Sequence, residues 1–169
     1  KEYQPFQFDK AKETLDRQLD IALEIGNDSL CLSVMLDKAM LLTTAGFYLE
    51  AEDVFTRIDT LDLAPAQMID WYNARQKFLH DYQEYVSTSS INVPDAEKIT
   101  RYQDCILRNT PEDLPVNRYI RILRMIEDED FEKAYFENLN FIESLDKDSR
   151  DYAVQTYWQG YICENLERP

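Results

Sequence analysis

Glycine is scarce in this sequence, and so are long hydrophobic runs. Only 3 of the 169 residues are glycine. All-β folds need many tight turns, which glycine commonly supplies, so the shortage disfavours them and favours helices. No run of about 18 apolar residues occurs, so the sequence predicts no membrane-spanning segment within it. The chain is long enough to bury a core without cross-links, and we expect a single domain over residues 1–169.

Positive charge is also in short supply. Against 33 acidic residues there are 18 basic ones, for a formal net charge of −15. A surface of this sign repels phosphate backbones, so we expect no direct contact between this chain and DNA or RNA. The simplest interpretation of the excess is solubility, and attraction of a basic partner or a cation is the alternative.

Metal ligands other than carboxylates are few. His80 is the only histidine, and Cys31, Cys105 and Cys163 lie far apart with no CxxC pair, which excludes a zinc site of common spacing. We expect the cysteines to be small buried side chains, although one pair could still form a disulfide. The acidic run at residues 127–130 lacks the alternating ligands and the central glycine of an EF-hand loop. We therefore interpret it as a corner between helices.

Motifs for catalysis are absent from the sequence as well. It contains no glycine-rich phosphate loop, no GxSxG and no HExxH. A Cys–His nucleophile would have to use His80, which lies in an aromatic stretch and is interpreted as structural or surface. The sequence thus predicts no catalytic residues, no metal site and no cofactor, and it favours a binding protein over a helical enzyme.

Apolar residues recur at three- and four-residue steps almost throughout, which predicts helices. Asp9 is placed as an N-cap, Gly26 and Gly46 as helix ends, and Pro65 in a first turn. Residues 87–94 are polar, end in proline and are predicted to form a loop. The predicted helices cover residues 8–25, 30–45, 48–59, 65–86, 95–108, 112–128, 131–145 and 149–166.

One segment has the pattern of a known repeat. Small Ala39 and Ala51 would let two antiparallel helices approach closely, and Gly46 would turn the chain between them. The order is bulky, small, bulky, glycine, aromatic, alanine, bulky and apolar, filled by Met35, Ala39, Leu42, Gly46, Tyr48, Ala51, Phe55 and Ile58. This segment resembles a tetratricopeptide repeat (TPR).

Weaker echoes of the pattern occur downstream. In the stretch from residue 122 to residue 141, Glu129 replaces the glycine and Asn138 replaces a bulky residue. The fold expected from the resemblance is all-α, with about eight helices in TPR-like antiparallel hairpins stacked into a short right-handed superhelix. Another array of α-hairpins is the alternative. If the chain contains four repeats, the position that Ala39 fills in the first is filled by Arg75, Ile122 and Gly160 in the others.

Four short segments suggest a narrower relationship by their order and spacing. They are residues 38–51, 71–75, 101–104 and 150–153. They resemble the N-terminal part of Bacteroidetes membrane-spanning regulators, starch-utilisation regulators among them. In that group a TPR-like region lies outside the inner membrane, and a transmembrane helix, a coiled coil and a DNA-binding domain follow.

The resemblance implies a periplasmic sensor domain of a membrane-bound transcription regulator. The parent chain would then span the membrane, and a homodimer is compatible with this arrangement. The alternative is a TPR scaffold module that binds a protein partner outside any regulator, which would allow a cytoplasmic location.

In a TPR stack the first helix of each hairpin lines a concave groove. A tyrosine offers a flat apolar ring with a polar tip, which suits stacking on a sugar or holding a peptide. We therefore expect a glycan ligand or a protein partner in this groove, and the alternative is that the same side chains pack against a neighbouring helix. The residues predicted to line the groove are Met40, Thr43, Tyr72, Gln76, Tyr119, Tyr157 and Tyr161.

Two further expectations concern residues near these positions. Trp71 and Trp158 are expected in the core, since Trp71 fills a bulky position of the repeat. Some TPR domains hold a peptide C-terminus with a clamp of lysine and arginine side chains. Arg75 and Lys77 alone do not make such a clamp, which disfavours an adaptor for chaperone tails.

Overall fold

A computed structural model describes residues 8–87 and 96–167, and within these ranges the chain is all-α. The TPR-like helical fold predicted from the sequence is confirmed. Of the predicted loop at 87–94, Ser87 belongs to a helix and the rest lies outside the described residues. The helices are α1 (Phe8–Glu24), α2 (Asp28–Thr44), α3 (Tyr48–Thr56), α4 (Pro65–Ser87), α5 (Ala96–Asn109), α6 (Pro115–Glu127), α7 (Phe131–Glu143) and α8 (Arg150–Asn165), with a short 3-10 turn at Thr60–Asp62.

One predicted N-cap and one predicted helix start are wrong. Helix α1 begins at Phe8, so Asp9 lies in its first turn and is not the N-cap. Helix α6 begins at Pro115 and not at Glu112, because proline fits the first helical position, where its missing N–H costs nothing. Within the described ranges, no helix combines the length and the apolar character needed to cross a bilayer.

The chain forms two compact units, unit 1 over Lys1–Ile106 and unit 2 over Leu107–Pro169. In unit 1, α1 packs against α2, α2 packs against both α3 and α4, and α3 touches α4. In unit 2, α7 packs between α6 and α8. The single domain expected over residues 1–169 stays a prediction.

The core of unit 1 is built around the α2–α3 hairpin. Ala39 and Ala51 are fully buried, as expected of the small positions that bring two helices close together. Half-buried Trp71 packs against this core, as the sequence predicts. The buried cluster consists of Ala39, Leu42, Ala51, Val54, Phe55, Ala74, Phe78, Leu79 and Ile99.

The corner between α2 and α3 uses the glycine that the repeat pattern requires. Gly46 has a φ of 79°, in the left-handed region that favours glycine. The backbone N–H of Gly46 donates to the carbonyl of Thr43 at 3.0 Å, and that of Phe47 donates to the carbonyl of Leu42 at 2.9 Å. This pair of bonds closes the end of α2 and fixes the direction of α3.

The corner between α6 and α7 has the same geometry without a glycine. Glu129 has a φ of 59°. Its backbone N–H donates to the carbonyl of Ile126 at 3.1 Å, and the backbone N–H of Asp130 donates to the carbonyl of Met125 at 2.8 Å. The acidic run at 127–130 is therefore a helix corner, as predicted, and Glu129 holds the strained conformation that Gly46 holds in unit 1.

Glu129→Gly is expected to raise the free energy of unfolding of unit 2 by about 0.5–1 kcal/mol, because glycine adopts a positive φ without steric cost. The exposed Glu129 side chain makes little contact that would be lost. Urea unfolding followed by Trp158 fluorescence measures the change. Asp128→Gly is the control, since Asp128 has a φ of −83° and should gain nothing. Equal effects of the two glycines would contradict the strain argument.

Of the four proposed small positions, only Ala39 holds a small, packed residue, since position 75 is an arginine. Gly160 is exposed, and a Cβ added there would meet nothing within 4 Å, so its assignment as a close-packing position is wrong. Ile122 is bulky and buried in the cluster of unit 2. That cluster consists of Ile122, Ile126, Ala134, Phe141 and Ile162.

Candidate binding surface

Two of the predicted groove residues lie inside unit 1. The Thr43 hydroxyl donates to the carbonyl of Ala39 at 2.8 Å, one turn back along α2, and the side chain is buried. Gln76 is also buried, with its Nε2 3.4 Å from Oδ1 of Asn73. Its Oε1 has no hydrogen-bond partner among the described residues. A ligand would reach neither side chain without a rearrangement of the helices.

Tyr72 lies where α4 meets α5. Its ring is 5.5 Å from the ring of Trp71 and 5.7 Å from that of Tyr102, centroid to centroid. Burial raises the pKa of the Tyr72 hydroxyl, and a hydrogen bond with Cys105 raises it further. The structure places this tyrosine in helix packing, the alternative that the sequence left open for it.

Met40 and Tyr119 are half-buried. Met40 packs against the cluster of unit 1, and Tyr119 packs against the cluster of unit 2. Each side chain contributes to a core edge and presents only part of its surface to solvent.

The two remaining predicted residues lie on an open face of α8. Tyr157 is 70% exposed and Tyr161 is 39% exposed, one helical turn apart. Ring centroids are separated by 5.8 Å from Tyr157 to Trp158, by 5.8 Å from Trp158 to Tyr161, and by 6.3 Å from Tyr161 to Phe131. These four side chains form what we call the α8 aromatic face. Trp158 also packs against the cluster of unit 2, as expected of a core residue.

The position of α8 depends on a buried amide of α7. Asn138 Nδ2 donates to the backbone carbonyl of Gln155 and to Gln159 Oε1, both at 2.9 Å. Asn138 is fully buried. Sequence reasoning treated it only as a departure from the repeat pattern. A polar residue in a position that should be bulky was the signal that it holds a neighbouring helix.

A comparison with known protein families matches residues 1–169 to the SusR N-terminal TPR domain. The chain belongs to this family. The match confirms the suspected relationship to the N-terminal region of SusR-type regulators. It indicates a helical interaction or sensor module. Comparisons with curated proteins and with solved structures found no match.

TPR-type helical repeat domains are generally non-catalytic. In the described part of this SusR-type TPR domain, no group of three or more His, Cys, Asp or Glu side chains is arranged to hold a metal ion. Asp130 of the acidic corner pairs with Lys133 one turn into α7. None of the three cysteines forms a disulfide with another described residue; Cys31 is buried and the other two are half-buried.

Proposed function

We propose that this domain is the sensing part of a membrane-bound transcription regulator and that it lies in the periplasm. The proposal rests on the family match and on the four segments that resemble those of membrane-spanning regulators. The parent chain would cross the membrane, and DNA binding would fall to another part of it. A homodimer of the parent chain fits this arrangement, since many regulators act on paired DNA sites.

We propose that the ligand is a neutral glycan that binds the α8 aromatic face. The observation that carries this is the exposure of Tyr157 and Tyr161 beside each other on one side of α8. An aromatic ring covers the apolar face of a sugar, and the tyrosine hydroxyl can bond to a sugar hydroxyl. The net charge of −15 disfavours phosphorylated or carboxylated ligands.

A protein partner is the second candidate ligand. Phe136 and Leu139 on α7 are exposed apolar side chains outside the α8 aromatic face. Exposed apolar side chains that cluster on one element are a common feature of protein interfaces. This candidate corresponds to a scaffold module.

Thermal unfolding in the presence of neutral oligosaccharides, starch fragments among them, tests the glycan proposal. A ligand at about 100 times its Kd should add about 2.7 kcal/mol to the stability of the domain. Tyr157→Ala and Tyr161→Ala are each expected to remove most of this shift, because each deletes a ring that the sugar would cover.

Phe136→Ala serves as the matched control, since it deletes an aromatic ring elsewhere in unit 2 that is 58% exposed, between the values for Tyr157 and Tyr161. It should leave the sugar-dependent shift unchanged. A shift that survives both tyrosine substitutions, or that Phe136→Ala removes equally, would reject the α8 aromatic face as the sugar site. Sensitivity to Phe136→Ala in capture of a purified partner would favour the scaffold instead.

A further inference from the structure

Unit 1 contains an open cleft between α1 and α2 that the glycan proposal does not use. Its volume is about 320 Å³. Ile21 on α1 is 46% exposed and Leu30 on α2 is 39% exposed, so the cleft presents aliphatic surface from both helices to solvent. We call this feature the α1–α2 cleft, and it is lined by Gln18, Ile21, Leu30, Ser33, Val34 and Asp37.

Asp37 contributes a negative charge to one wall of the cleft, and Asp70 on α4 lies outside the lining; both side chains are exposed. Partial burial raises the pKa of the Asp37 carboxyl, and the neighbouring charge of Asp70 on α4 raises it further. Burial also raises the pKa of Asp70. Among the described residues, no lysine or arginine forms an ion pair with either carboxylate. Lys38, next to Asp37 in sequence, pairs instead with Asp16 of α1.

A buried glutamine joins the two helices that carry these aspartates, α2 and α4. Gln67 Nε2 donates to the backbone carbonyl of Ser29 at 2.7 Å and to Ser33 Oγ at 2.9 Å. Asp37 lies one turn beyond Ser33 on α2, and Asp70 lies one turn beyond Gln67 on α4. The buried glutamine bridge therefore brings the two acidic residues to the same side of unit 1.

We propose that the α1–α2 cleft is a docking site for a protein segment that presents an apolar side chain flanked by lysine or arginine. The apolar side chain would fill the cleft against Ile21, Leu30 and Val34. The cationic group would lie beside Asp37 and Asp70 and would neutralise them. This surface is separate from the α8 aromatic face, and the inference does not depend on glycan binding.

Charge complementarity selects this occupant over others. A second copy of the chain would bring a further net charge of −15 to an acidic surface. A neutral glycan would leave the two carboxylates unpaired. A basic segment gains from both the apolar lining and the acidic pair, since it buries apolar surface and reduces the repulsion of Asp37 by Asp70.

Fluorescence anisotropy with the full 169-residue chain and a labelled synthetic peptide tests the inference. The peptide has blocked ends and about a dozen residues, with leucines flanked by lysines in an otherwise Gly/Ser sequence. Asp37→Asn combined with Asp70→Asn is expected to weaken binding about tenfold, equivalent to about 1.4 kcal/mol. Leu30→Ser is expected to weaken it several-fold, and a peptide with Lys replaced by Glu should not bind.

Glu143→Gln combined with Glu164→Gln is the matched control. Both residues are exposed in unit 2, and the pair changes the net charge by the same amount. The control should bind the lysine peptide with a Kd within about twofold of the unaltered chain. If both double variants weaken binding equally, the effect is a general attraction between a basic peptide and an acidic chain, and the proposal is overturned. A lysine peptide that fails to bind the unaltered chain would also overturn it.

Misfolding does not complicate this test. The Asp→Asn variants change exposed side chains whose pKa is raised in the folded chain, so they should unfold at an equal or higher temperature. Tyr157→Ala should leave peptide binding intact. The outcome for the cleft is therefore independent of the outcome for the α8 aromatic face.

Discussion

Replacing Arg75 with alanine is expected to lower the free energy of unfolding of unit 1 by about 2–4 kcal/mol. The Arg75 guanidinium carbon lies 4.7 Å from the ring centroid of Phe55 and 5.3 Å from that of Phe78. The guanidinium also pairs with Glu52 of α3. Arg75 occupies a position where the repeat pattern wants a small residue, and its planar head fills that space by lying over aromatic rings.

The ring contacts should account for most of this loss. The side chain of Arg75 is only 17% exposed, whereas that of Glu52 is 44% exposed, so solvent screens the ion pair. Glu52→Ala is therefore expected to cost less than about 1 kcal/mol. Arg75→Lys should be intermediate, because it keeps the charge but loses the flat surface.

The two tryptophans allow each unit to be followed separately, since Trp71 lies in unit 1 and Trp158 lies in unit 2. Urea unfolding in a Trp158→Phe background should show a shifted Trp71 transition for Arg75→Ala. In a Trp71→Phe background the Trp158 transition should stay in place. A loss equal to that of Glu52→Ala would refute the importance of the ring contacts, and a parallel shift of both transitions would show that the units unfold together.

Phe141→Ala is expected to have the largest effect in unit 2, a loss of about 3–5 kcal/mol. Phe141 is buried in the cluster of that unit. The guanidinium carbon of Arg118 lies 4.6 Å from the centroid of its ring. The substitution leaves a cavity in the core and also removes the surface over which the arginine lies.

The matched control for Phe141→Ala is Phe136→Ala on the same helix. Phe136 is exposed, so its loss should change stability by less than about 0.5 kcal/mol. The Trp158 transition in urea reports both variants. If the two substitutions cost the same, the buried cluster would not be the main source of stability in unit 2.

The helices of this fold could be predicted because their determinants are local. Ala39, Gly46 and Ala51 act through their own size or backbone freedom, and the structure uses each as the pattern requires. Glu129 could not be predicted in a left-handed conformation. The hydrogen bonds of the corner and the packing of α7 on α6 impose that conformation at a local steric cost.

The faces of the helices were harder to predict than their bounds. Successive residues of a helix point about 100° apart, so a small rotation turns a groove position into an interior one. Thr43 and Gln76 are buried for this reason. Tyr72 is covered because Tyr102 of α5 reaches it, a tertiary contact with no sequence signal.

The proximity of Asp37 and Asp70 in unit 1 could not be predicted from the sequence either. The sequence contains 33 carboxylates, and nothing in their spacing singles out two that lack a partner. Asp37 and Asp70 lie 33 positions apart in the sequence and come near each other because α2 packs against α4, where Gln67 bridges the two helices.

The hydrogen bonds that the Asn138 amide donates fix the axial position of α8 against α7. Sliding α8 by one turn, about 5.4 Å, would leave buried hydrogen-bonding groups unpaired at a cost of about 1–3 kcal/mol each. The helix therefore has one preferred axial setting and no gradual path to another. The rings of Tyr157 and Tyr161 on this helix are therefore arranged before a ligand binds, and ordering them on binding costs little free energy.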